Sequence, residues 1–189
     1  MKLNPVITLN KLNSALYDVQ NEFYRLGLWN EGSPLTEIEI YLCSRPRIFY
    51  QGFFMHGVTK WQSFEGYLDG KLYISKYSLG HLQNCKYSSI RDLVRHEYAH
   101  AFAEKYQNLI WRNAFEKAFG GTYDSEIKTK MPTSAYFTDY AKTNPCEDYA
   151  ETFKMYLKWK GKLPKKFTNK QLIAKWNFVA SVIKKASQS

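Results

Sequence analysis

The chain is poor in cysteine. Cys43, Cys85 and Cys146 are its only three, their number is odd, and no CxxC pair occurs. That argues against a disulfide framework and against a cysteine zinc knuckle. No apolar run approaches the roughly 20 residues that span a bilayer, so no transmembrane segment is expected. Internal repeats, low-complexity linkers and nucleic-acid motifs are also missing. Acidic residues are the minority: 27 Lys and Arg face 17 Asp and Glu, for a formal net charge of +10. The N-terminal apolar stretch is too short and too polar for a secretory signal, so a cytoplasmic location is expected, or export without a cleaved signal peptide.

What is present suits one folded domain. Hydrophobic residues make up 44% and aromatic residues 17% of 189 positions, enough for a core, and such a composition excludes a disordered chain, a collagen-like repeat and a coiled coil. Apolar residues at helical spacing (Leu12, Leu16, Val19, Phe23, Leu26) predict a helix over 9–27, with Gly27 as its stop. Alternation around Ile38, Ile40 and Leu42 predicts a strand over 36–43. Two more strands are expected at 62–68 and 71–77, joined by the hairpin dipeptide Asp69-Gly70. From Ser88 or Ser89 to Lys105 the period returns to 3.6, and a short helix should follow over 110–119, stopped by Gly120-Gly121. Residues 121–143 look irregular. Asn144-Pro145 opens a helix to about Lys160, and an amphipathic helix closes the chain over 169–186. The layout is α+β in a single domain over 1–189: an N-terminal helix-and-sheet part (1–87) and a helical part (88–189), with a small sheet packed on helices.

Positions 96–100 read His96-Glu97-Tyr98-Ala99-His100, which is HExxH inside the best-supported helix. Residues four apart on a helix are about 40° apart around the axis and one turn along it, so both imidazoles can bind one zinc ion. Glu97 is about 60° around from His100, placed to reach a water on the metal without binding the metal itself. A random order of this composition gives roughly 0.005 matches to the pattern.

A catalytic zinc needs a third protein ligand and an open position. His56 and His81 precede the motif and no histidine follows His100, which excludes classes that take a third His downstream. A downstream carboxylate is therefore expected. Glu147, early in the next long helix, is the foremost candidate. Glu151, one turn on, is placed to accept the free N–H of a liganded imidazole. The same residues also read as an N-terminal cap: Asn144 with Glu147 three positions later is a capping-box pattern. Asp148 stands as a further acid beside Glu147.

HExxH followed by a helix bearing ExxxE resembles the gluzincin metallopeptidases. Nearer still are the lethal-factor-like peptidases and bacterial zinc metallopeptidases with a T-N-x-x-E-D-[FY]-A-E signature. The matching stretch here is Tyr140-Ala141-Lys142-Thr143-Asn144-Pro145-Cys146-Glu147-Asp148-Tyr149-Ala150-Glu151. The resemblance covers about a third of the chain, from Ile90 to Tyr156. It implies a zincin-like fold, one Zn(2+) held by His96, His100 and Glu147, Glu97 as general base, Tyr140 as an electrophilic hydroxyl and Glu151 behind the ligands. Gly121-Thr122-Tyr123-Asp124 resembles the element from which aspzincins draw an Asp ligand, which keeps Asp124 open as an alternative, although a Gly-Gly helix stop accounts for the same residues.

The function expected is a zinc peptidase acting on peptides or proteins. Two alternatives are a toxin or effector protease delivered into another cell, and a basic nucleic-acid- or surface-binding module with a structural zinc. The lysines Lys158, Lys160, Lys162, Lys165, Lys166, Lys170, Lys175, Lys184 and Lys185 gather near the C-terminus, a solvated face or a functional basic surface. Lys71 to Tyr77, the last strand before the motif helix, is a candidate edge for an extended substrate, with a core strand as the alternative. Phe49, Tyr50, Phe53, Phe54, Trp61 and Tyr67 could line a cleft or fill the core.

Overall fold

The structure is a computed structural model that describes residues 7–43, 48–50, 62–64, 66–68, 71–75, 89–126 and 129–189. Among these, the order is α1 (Leu9–Arg25), β1 (Glu39–Cys43), β2 (Ile48–Tyr50), β3 (Gln62–Phe64), β4 (Gly66–Leu68), β5 (Lys71–Ser75), α2 (Ile90–Lys105), α3 (Gln107–Ile110), α4 (Asn113–Phe119), α5 (Pro145–Lys158) and α6 (Lys170–Ala186). This is an α+β arrangement with a helical C-terminal half. None of the described helices is long and apolar enough to cross a membrane.

The helices begin where short polar side chains can satisfy free backbone N–H groups. Thr8 caps α1, Ser89 caps α2, Asn144 followed by Pro145 caps α5, and Asn169 caps α6. The helix expected over 110–119 starts only at Asn113, as α4; Ile110 instead closes the short α3, and Trp111 and Arg112 separate the two. Gly120 ends α4 at φ +80°, where a Cβ would come within 3.0 Å of Met131 Cε. That left-handed turn sends the chain back toward α2.

The small sheet has the order β1-β5-β4, with β1 parallel and β4 antiparallel to β5. A second pair, β2 and β3, is antiparallel. Two strand expectations need correction. The strand expected over 36–43 is β1, which starts only at Glu39, because Pro34–Glu37 form a 3-10 turn capped by Ser33. The run 62–68 is two strands in different sheets. β5 is not an edge either: it is the middle strand of its sheet, and buried Leu72 and Ile74 fit that place. Among the described residues the edges are β1 and β4, and both β4 and β5 contact α2. Asp69, Gly70 and the side chains of the six aromatic residues named above lie outside the described residues. The Leu68↔Lys71 pairing still leaves two residues between β4 and β5, as the hairpin signal requires.

α2 is the hub. It packs on α1, α5 and the sheet, and residues Asp92 through Ala99 are all buried. Phe23 of α1, Tyr98 and Phe102 of α2 and Phe153 of α5 interlock, with centroids 5.0 to 6.1 Å apart. Each such side chain contributes about 1.5–3 kcal/mol by leaving water. Phe115, Phe119, Tyr149 and Phe178 join α4, α5 and α6 in the same way.

Candidate metal centre

A helix buried all round must account for its charged residues. Arg95 donates from Nε and one terminal nitrogen to Glu22 of α1 at 2.8 and 2.6 Å, and from the other to Asp92 at 2.7 Å. Asp92 also accepts from Lys158 of α5 at 2.8 Å. This network fixes the rotation of α2 about its axis. The face that carries His96 and His100 is thereby turned to the first turn of α5.

There three ligand atoms converge. His96 Nε2 and His100 Nε2 are 3.2 Å apart. Glu147 Oε2 lies 3.1 Å from the first and 3.6 Å from the second. Atoms held tetrahedrally at zinc–nitrogen and zinc–oxygen bond lengths are about 3.3–3.5 Å apart, so the triangle has the size a zinc ion requires. His96, His100 and Glu147 are the group able to hold a metal among the described residues. Glu147 Oε2 is buried and makes no aligned hydrogen bond to protein. A buried carboxylate oxygen without a hydrogen bond, facing two ring nitrogens, has the chemistry to accept a cation. The capping expectation is met by a different atom: Asn144 Oδ1 accepts from the Glu147 backbone N–H at 2.9 Å, and the carboxylate is left to face the rings.

A second layer orients the rings. His96 Nδ1 lies 2.9 Å from Glu151 Oε1. A carboxylate only accepts, so Nδ1 carries a proton, and once the ring gives up its second proton the Nε2 lone pair faces the centre. Glu151 in turn accepts from Lys154 Nζ at 2.6 Å on each oxygen and from Thr138 Oγ1 at 2.7 Å. His100 Nδ1 meets Tyr123 Oη at 3.0 Å. Tyr123, Thr138 and Lys154 are the residues that sequence reasoning missed. Lys154 stands at i+3 from Glu151, a spacing that could have revealed it. Tyr123 and Thr138 come from irregular segments without a period to read.

The electrostatics follow from this geometry. Burial opposes charge on His96, but Glu147 and Glu151 overcome it and push the imidazole up to about 9. Burial also works against the Glu151 carboxylate, and His96 and Lys154 outweigh it, bringing that carboxyl down to about 2. Glu147 is likewise held well below the usual carboxylate range by His100 and His96 against its burial.

Glu97 is buried, with its charge felt at both His96 and Tyr140. Tyr140 opens a 3-10 turn, Tyr140–Lys142, and its ring centroid is 5.8 Å from that of His96. It hydrogen-bonds Glu147, and its phenol is raised well above the ordinary range by burial first and then by the Glu147 and Glu97 charges. The other acids are elsewhere. Asp124 is exposed and lies outside the group that could hold a metal. Asp148 is buried in an ion pair with Lys175 at 2.7 Å. Cys146 donates to Asn144 Oδ1 at 3.1 Å, and burial together with Glu147 pushes its thiol up to about 12. His56, His81, Cys85 and the side chain of Cys43 lie outside the described residues.

No protein-family model, curated protein or solved structure matches the chain.

Proposed function

We propose that this chain is a zinc peptidase of the gluzincin type with a zincin-like fold, binding one zinc ion through His96, His100 and Glu147. The observation that carries the reading is the triangle of two Nε2 atoms and one orphaned carboxylate oxygen at zinc-ligand separations. Three protein ligands rather than four, among the described residues, favour a catalytic over a structural ion, because a structural site is closed by a fourth. Zinc bound there supplies a Lewis acid that polarises a peptide carbonyl and makes water acidic enough to lose a proton near neutral pH.

The protein's own residues do the rest. Two neutral rings and one carboxylate leave the ion with a net positive charge. Glu151 holds His96 as the Nδ1–H tautomer, and Lys154 and Thr138 keep Glu151 ionised and aimed. Glu97, which binds no metal in this arrangement, takes the proton from the attacking water and passes it to the departing amine. Tyr140 Oη, its proton held firmly by burial and by the Glu147 and Glu97 charges, turns from Glu147 to donate to the carbonyl oxygen as that oxygen gains charge. Edge strand β4, which contacts α2, offers its backbone to an extended substrate.

Glu97→Gln is the test. It should bind one zinc per chain, read by elemental analysis, and lose cleavage of a peptide library that the wild type cuts. Cleavage persisting in that variant overturns Glu97 as the base.

A further inference from the structure

The charge of this protein is distributed very unevenly. Residues 1–151 hold 17 basic and 17 acidic side chains and are neutral, whereas residues 152–189 hold 10 lysines, no arginine and no acid. The entire net charge of +10 therefore sits on the last 38 residues. Three of these lysines reach back to acids in the neutral part: Lys154 to Glu151, Lys158 to Asp92 and Lys175 to Asp148. Lys160, Lys162, Lys165, Lys166 and Lys170 do not. All five are exposed on or beside the loop between α5 and α6, and among the described residues none pairs with a carboxylate.

This loop is not a loose tail. Trp159 and Phe167 pack on each other at 5.4 Å, and Phe137 packs on Phe167 at 5.3 Å and on Trp159 at 5.6 Å. Asn169 Nδ2 donates to Ser134 Oγ at 2.9 Å. The anchor is thus the segment that leads into the metal centre: Thr138, next to Phe137, donates to Glu151. Tyr140 is three residues beyond Phe137, a span of at most about 10 Å.

We propose that the lysine loop at 160–170 recruits acidic polypeptide segments of the substrate beside the metal centre, an inference that rests on the peptidase reading above. Among polyanions, three features select a soluble acidic chain. The absence of arginine removes the bidentate fork suited to phosphate. The loop's aromatic rings are packed on one another rather than presented for base stacking. Among the described residues the exposed large apolar side chains (Leu9, Tyr17, Tyr24, Tyr41 and Trp111) all lie outside the loop, so it has no wedge for a lipid surface. A dense, uncompensated cluster of flexible ammonium groups steers a flexible run of carboxylates toward its neighbourhood.

The test is fluorescence anisotropy with the zinc-loaded Glu97→Gln chain of 189 residues and a labelled Glu/Asp-rich peptide, at ionic strengths of about 0.05 and 0.3 M. The expected result is binding that weakens steeply with salt and about tenfold or more when Lys160, Lys162, Lys165, Lys166 and Lys170 are all changed to Gln. Changing Lys184 and Lys185 to Gln, at the far end of α6, should leave it within about twofold. Three results overturn the proposal: no binding, equal loss in the two lysine variants, or tighter binding of a DNA oligonucleotide or of phosphatidylserine vesicles than of the peptide. Circular dichroism confirms that each variant folds. Because binding is read without turnover, an absent exosite shows as absent binding, while a failed peptidase reading shows as wild type that does not cleave.

Discussion

The imidazole of His96 and the carboxylate of Glu151 meet at 2.9 Å, Nδ1 to Oε1, from helices 55 residues apart in sequence. This contact decides which nitrogen of the ring is free for a metal. Glu151→Gln, which can present an amide N–H to Nδ1, should favour the wrong tautomer. We expect zinc affinity to fall about 10- to 100-fold, measured by competition with a chromogenic chelator. An unchanged affinity would remove Glu151 from the orienting role.

Tyr123 supports the other ring. Tyr123→Phe deletes the hydroxyl at 3.0 Å from His100 Nδ1 and keeps the ring packing against Phe115 and Tyr149. A hydrogen bond of this kind is worth about 1 kcal/mol, so zinc binding should weaken by about fivefold, less than in Glu151→Gln. The same competition assay reads both.

Protonation and metal compete for one nitrogen. In chelator-stripped protein His96 is pushed up to about 9, so at neutral pH zinc should expel about one proton from it. Calorimetry in two buffers of different ionisation enthalpy measures that number directly. The pH dependence of the stripped protein's stability has a definite sign. The raised imidazole contributes stability that is full below 6.5 and lost as pH rises through about 9. The lowered Glu151 carboxyl contributes stability that is full above 4.5 and lost as pH falls toward about 2. Stripped protein should therefore gain nothing further from this pair outside 4.5–6.5, and urea midpoints across pH test this.

Lys175 and Asp148 form a fully buried pair that holds α6 on α5. Lys175 also donates to the Ala135 carbonyl at 2.8 Å and stacks on the Tyr136 ring at 4.1 Å. Lys175→Met removes the buried ammonium that pairs with Asp148 and should cost about 3–5 kcal/mol in urea unfolding. Adding Asp148→Leu should restore a large part of that loss.

The helices that build the site were legible because their signals are local. Ser89 and Asn144-Pro145 mark where α2 and α5 start, and HExxH has a fixed helical geometry. The pairing of β1 with β5 joins residues about thirty positions apart, and no local pattern encodes it, so the sequence leaves 71–77 open between an edge and a core strand, and the structure makes β5 central. The burial of α2 on nearly all sides was only half visible, since its charged residues are neutralised by Glu22 and Lys158 from other helices. The second layer was visible where it follows the helical repeat, in Glu151, and invisible where Tyr123 and Thr138 reach the site from turns.

Zinc-edge anomalous diffraction from crystals of the zinc-loaded protein tests the central claim most directly. The account predicts one anomalous peak per chain, about 2.0–2.2 Å from His96 Nε2, His100 Nε2 and a Glu147 carboxylate oxygen. A peak ligated by Asp124 or Asp148 in place of Glu147, or no peak between the two rings, would contradict it.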